Sequence, residues 1–78
     1  MISIRHALVQ MRSGHWDQAH SLLQNDNSLL GIWLQGILQL HHGDLEKAAI
    51  CYGKANRNFL RRGTVDEELK RFELELLD

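Results

Sequence analysis

The chain reads as all-α, and three observations carry that reading. Apolar residues recur at helical spacing in five successive segments, and no stretch alternates with the period of two that marks a half-buried strand. Glycine and Asx residues punctuate those segments, and proline is absent. The chain also repeats itself: a shift of 29 residues carries Gly14 onto Gly43, Trp16 onto Leu45, Ala19 onto Ala48 and Leu23 onto Tyr52. The expected architecture is two stacked antiparallel helical hairpins plus a C-terminal capping helix, all in one domain over 1–78.

The first helix is expected over 3–12, where Ile4, Ala7, Leu8 and Met11 follow the i, i+3, i+4, i+7 rule. Ser13-Gly14 ends it, since glycine tolerates the left-handed turn that closes a helix. Trp16, Ala19 and Leu23 form the stripe of a second helix over about 15–24. A polar connection follows, with Ser28 as N-cap of the third. Residues 29–41 are apolar around most of the helix circumference, which means burial on several sides. Gly36 lies inside that helix, where glycine costs about 1 kcal/mol relative to alanine, so a close backbone approach is expected there. Gly43 breaks the chain and Asp44 caps the fourth helix, whose stripe is Leu45, Ala48, Ala49, Tyr52 and Ala55. Gly63 is the expected stop. Thr64 and Glu67 then have the spacing of a capping box. They open a last helix over 64–77 that buries Val65, Leu69, Phe72 and Leu76. Glu67 and Glu68 are expected on its solvated face.

The 29-residue shift also carries Ile4 onto Trp33, Ala7 onto Gly36, Leu8 onto Ile37, Met11 onto Leu40 and Gln10 onto Gln39. Repeat 1 spans about 3–27 and repeat 2 about 29–60. In such an array each hairpin leaves one apolar face that its neighbour buries. The last helix is then the first helix of a third unit, because Val65, Leu69 and Phe72 reproduce the spacing of Trp33, Ile37 and Leu40. Its acidic outer face would cap the stack.

The stretch from Gly43-Asp44 through Ala48, Tyr52 and Ala55 resembles the second-helix half of a tetratricopeptide repeat. Gly36 matches the small residue of that family's first helix, and Gly14, Ala19 and Leu23 repeat the signal more weakly. The resemblance covers about 3–60. The period is 29 against about 34 for the family, and the customary proline after the second helix is missing. Family positions that are apolar in the first helix fall on Gln35 and Gln39, which implies a first helix rotated from its usual setting. More loosely, the chain is similar to small uncharacterised bacterial all-helical proteins, a resemblance that brings no activity with it. What the family resemblance implies is a surface built from first helices that binds a protein or peptide. Ile4, Leu8, Met11, Leu30, Trp33, Ile37 and His41 would occupy or border it. The same residues become core if the C-terminal helix folds back over them or the rotation turns them inward.

Charge and cysteine content narrow the alternatives. The net charge of −1 argues against bulk attraction to nucleic acid or membrane. A local basic run, Lys54, Arg57, Arg61 and Arg62, precedes a last helix rich in acids. One cysteine, Cys51, allows no internal disulfide and fits a reducing, cytoplasmic setting. No apolar run approaches the ~20 residues that span a bilayer, and Arg5 and His6 interrupt any leader pattern. His6, His15, His20, His41 and His42 lack the i, i+3 or i, i+4 spacing that puts two metal ligands on one helix face. No nucleophile layout, acid–base pair or phosphate loop is present, so neither catalysis nor a cofactor is expected. The leading expectation is a non-catalytic module that binds a peptide, a helix or a second copy of itself (a homodimer). A nucleic-acid-binding protein using residues 54–62 is the alternative, and a metal protein using His41 and His42 comes third.

Overall fold

The computed structural model describes residues 3–77, so Met1, Ile2 and Asp78 of the expected 1–78 domain lie outside it. Among the described residues there are five α-helices and no strand. They are α1 (Ser3–Arg12), α2 (Trp16–Leu23), α3 (Leu29–His42), α4 (Leu45–Lys54) and α5 (Val65–Leu77), with one turn of 3-10 helix at Phe59–Arg61 before α5. Among the described residues no helix is long and apolar enough to cross a membrane.

The glycine turns set the register of the two hairpins. Gly14 and Gly43 adopt φ of 83° and 82°, the left-handed region that lets a helix close on itself. The Gly43 N–H donates to the Leu40 carbonyl at 3.1 Å and the Asp44 N–H to that of Gln39 at 3.0 Å. Shifted back by 29 residues, the same pair recurs: Gly14 donates to Met11 at 3.1 Å and His15 to Gln10 at 2.8 Å. The N-caps also fall where expected. Ser28 Oγ accepts from the Gly31 N–H at 3.0 Å and Asp44 Oδ1 from the Lys47 N–H at 3.1 Å. The Thr64–Glu67 capping box closes reciprocally, at 2.8 and 3.2 Å.

The repeat fades at the end of the second helix. Asn27 and Asn56 correspond under the shift, yet only Asn56 takes positive φ, 61°, and it ends α4 with Arg57 donating to the Tyr52 carbonyl at 2.8 Å. Asparagine tolerates that conformation better than other non-glycine residues. The fourth helix therefore stops well before Gly63, and Phe59–Arg61 forms a separate turn whose Leu60 N–H is capped by the Asn58 side chain at 3.1 Å.

α1 packs on α2 and α3 on α4, while α3 also touches α1, α2 and α5. That central place explains why α3 is apolar all round: Trp33, Leu34, Ile37 and Leu38 are all buried. Gln35, an unexpected polar residue there, donates to the Leu23 and Asp26 carbonyls at 2.7 and 3.0 Å, satisfying the end of α2. The radius of gyration, 11.0 Å, is close to the ~11.5 Å expected of a compact chain this long. α5 folds back on the hairpins, against α3 and with Glu73 bonded to Arg12 at the end of α1.

At Gly36 α3 and α4 lie close together. A Cβ there would lie 2.7 Å from Tyr52 Cδ1 and 3.1 Å from Cys51 Cβ. The Tyr52 ring cannot move aside freely, since it is buried and meets Phe59 edge-on at 5.4 Å. Gly36→Ala is expected to destabilise, because overpacking costs ~1–3 kcal/mol and exceeds the helix-propensity gain of about 1 kcal/mol. Gly53→Ala, with nothing within 4 Å of the new Cβ, should stabilise by ~0.4–1 kcal/mol. Urea melts of the two variants check the opposite signs.

Candidate functional site

Six of the seven sequence-expected binding residues gather in the core, and α5 lies over Trp33 among them. Leu8, Met11, Trp33 and Ile37 are buried, with Trp33 at 1% and Ile37 at 0% exposure, while Ile4 and Leu30 are half-buried against the same core. Phe72 of α5 meets the Trp33 ring at 5.0 Å and 55°, the tilted geometry that aromatic pairs prefer. Leu69 is buried beside it, and Val65 and Leu76 are partly buried. Trp33 and Ile37 leave no exposed surface on which a groove could open, and Phe72 of α5 lies over Trp33. His41 stands apart from this face, exposed and stacked on Trp16 at 3.7 Å and 9°.

Two arginines of the hairpins hold the edges of α5. Arg12, at the end of α1, donates to Glu73 at 2.7 Å and to Asp66 at 3.3 Å. Arg57 makes a two-pronged pair with Glu75 while its guanidinium lies 3.7 Å from the centroid of the Trp33 ring. The Arg57 hydrogen bond, the largest influence on Glu75, draws its carboxyl below the usual range. Each pair is partly solvated and contributes ~0.2–1 kcal/mol, but together they fix where the helix lies. The seam between α5 and α1 is less complete. It forms a groove of about 380 Å³ lined by Arg5, Leu8, Val9, Glu73 and Leu76.

Glu68 corrects a sequence expectation. It was placed with Glu67 on a solvated face, yet only 1% of it is exposed. The Tyr52 hydroxyl donates to its Oε1 at 2.6 Å, the Gly63 N–H to its Oε2 at 3.0 Å, and Arg71 lies 3.4 Å from Oε2. A buried carboxylate needs such partners. Burial first, and the Glu68 bond second, push the Tyr52 hydroxyl well above the usual phenol range, so it remains a donor. Trp33 Nε1 is buried beside this pair without completing a hydrogen bond of its own; its N–H draws the phenol down a little against the larger effects. The signal was present: residues 65, 68, 69 and 72 share the i, i+3, i+4, i+7 face.

The other candidates are structurally occupied or isolated. Arg57 serves the α5 contact, and Arg62 stacks 3.9 Å over Phe59 and donates to its carbonyl at 2.9 Å. Only Lys54 and Arg61 of the basic run remain exposed on the surface. His41 and His42 have ring centroids 5.5 Å apart, tilted by 60°. Among the described residues no group of three or more His, Cys, Asp or Glu side chains is placed to hold a metal ion. Cys51 is half-buried, and burial pushes its thiol up, with Lys54 opposing. A second surface depression is lined by His6, Gln10, Asp17, Gln18, Ser21 and Leu22, none of them buried.

Compared with protein-family models, with curated proteins and with solved structures, the chain matches none.

Proposed function

We propose that the chain is a non-catalytic protein-interaction module of tetratricopeptide-like build, whose apolar α1–α3 face receives an amphipathic helix. The observation that supports this reading is the way α5 is held. Phe72 seats on Trp33 between two cationic edges, Arg12 and Arg57, that meet acids on either side of the helix. An apolar seat with paired charged edges selects both the chemistry and the direction of an incoming helix. The partner class is therefore a helix with apolar residues at i, i+4, i+7 and i+11, flanked by carboxylates. In this structure the seat is taken by the chain's own C-terminal helix.

The test is fluorescence anisotropy with a labelled peptide of residues 63–78. The receptor is the full chain carrying E73R and E75R, which sets its own α5 against Arg12 and Arg57. The peptide should bind this variant about tenfold more tightly than it binds the unaltered chain, the factor that ~1.4 kcal/mol carries. Absence of saturable binding to the folded variant would remove the proposal.

A further inference from the structure

We infer that the occupant of the α1–α3 face in trans is the α5 helix of a second copy, so that two chains pair by exchanging their C-terminal helices. This rests on the interaction reading above and goes beyond it by naming the partner.

The joint between Arg62 and Gly63 divides the molecule cleanly. On the hairpin side, the Arg62 N–H donates to the Phe59 carbonyl at 3.3 Å, and the Arg62 side chain donates to that same carbonyl. On the helix side, Gly63 bonds to Glu68, and Thr64 and Glu67 cap each other. Among the described residues no backbone–backbone hydrogen bond crosses the joint. α5 is therefore self-capped and carries its N-terminal hydrogen bonds with it wherever it docks. Arg62 is extended, with φ −68° and ψ 152°, and glycine follows, so the link can open without breaking a helix.

Everything that ties α5 to the hairpins is a side-chain contact. These contacts are Phe72 and Leu69 in the apolar seat, Glu68 with Tyr52, and the Arg12 and Arg57 edges. A second copy presents the same atoms, so reciprocal exchange about a two-fold axis conserves every one of them and changes only the link. On the α1 side the Arg12 pairs hold one edge of the helix, but a groove of about 380 Å³ remains beside them. Charge complementarity chooses the occupant: the face offers Arg12 and Arg57, and this chain's own α5 offers Asp66, Glu73 and Glu75.

The experiment uses two full-length variants, R12E/R57E and E73R/E75R. Each alone sets like charges against each other at both edges; together, each chain's face complements the other's helix. They are mixed in equal amounts, warmed above both melting midpoints, cooled, and examined by light scattering and thermal melting. The expected result is a species of twice the chain mass. Its midpoint should rise above those of both parents towards that of the single chain carrying all four changes. A mixture that stays at single-chain mass, or doubles without recovering stability, overturns the exchange. Peptide binding with a monomeric mixture removes the exchange and leaves the interaction reading; failure of both removes both.

Discussion

Trp33→Ala is expected to lower stability by ~3–5 kcal/mol, the usual cost of truncating a buried Trp or Phe. A chain of this size has about 4–12 kcal/mol to lose, at roughly 0.05–0.15 kcal/mol per residue, so much of the population should unfold at modest denaturant. The loss has several parts. The Trp33 side chain is 1% exposed and fills the space between α3 and α5. Its removal also unseats Phe72 and takes away the surface on which Arg57 lies. Aromatic pairing of that kind contributes ~0.5–1.5 kcal/mol and a cation over a ring about as much. Trp33→Phe should cost less than the alanine change, because it keeps most of the apolar area. It also deletes an Nε1–H that is buried without completing a hydrogen bond, so the group lost is one whose desolvation is poorly offset. Urea midpoints of the two variants against the parent provide the measurement. An alanine variant melting within ~0.5 kcal/mol of the parent, as surface changes do, would mean that Trp33 is not held beneath α5. The same result governs how interaction experiments are designed: alanine at Trp33 would remove the fold along with the seat, so charge changes at Arg12 and Arg57 are the cleaner probes.

Local signals were legible from residue types and spacing. Ser28, Asp44 and Thr64 cap because their side-chain oxygens suit the free amides of a first turn, and each is followed by a helical stripe. Gly14 and Gly43 turn because little else adopts φ near +82° without strain. Gly36 marks a close approach of α3 to α4, as a glycine inside an otherwise good helix suggests. What failed to show was contact between distant segments. Arg57 and Glu75 are 18 residues apart and Arg12 and Glu73 are 61 apart, and no local pattern marks such pairs. An apolar stripe on α5 says that something covers it, not what. Six of the seven expected binding residues, all but His41, share one apolar core, while the seating of α5 on Trp33 depends on a fold-back that spacing alone leaves open. Glu68 was a different kind of miss. Its place on the stripe is readable, but a charged residue is ordinarily exposed, and the partners that make burial tolerable lie on α4 and at the joint.

Those partners define the second large effect. Glu68→Ala is expected to leave the Tyr52 O–H and the Gly63 N–H without their acceptors; the buried Tyr52 hydroxyl alone costs ~1–3 kcal/mol when orphaned, and the half-buried Gly63 N–H less. Tyr52→Phe should lose ~1.5–3 kcal/mol, the range for a hydrogen bond to a charged group, since the carboxylate keeps only Gly63 and the half-exposed Arg71. The two losses should not add. Once Glu68 is gone, the Tyr52 hydroxyl is itself the unpaired group, so removing it relieves a penalty. The double variant is expected to be more stable than the sum of its parents implies by at least ~1 kcal/mol, within the ~0.5–3 kcal/mol seen for residues in one network. Additivity within ~0.5 kcal/mol, in a cycle of urea melts, would show that the 2.6 Å contact carries no energy. The contact also bears on how α5 leaves its seat. Glu68 binds the joint through Gly63 and the hairpins through Tyr52, but only the Tyr52 bond has to break when the self-capped helix departs. Tyr52→Phe should therefore speed equilibration of the charge-complementary mixture, whereas a change at Thr64, which acts within α5, should weaken the helix without selectively freeing it.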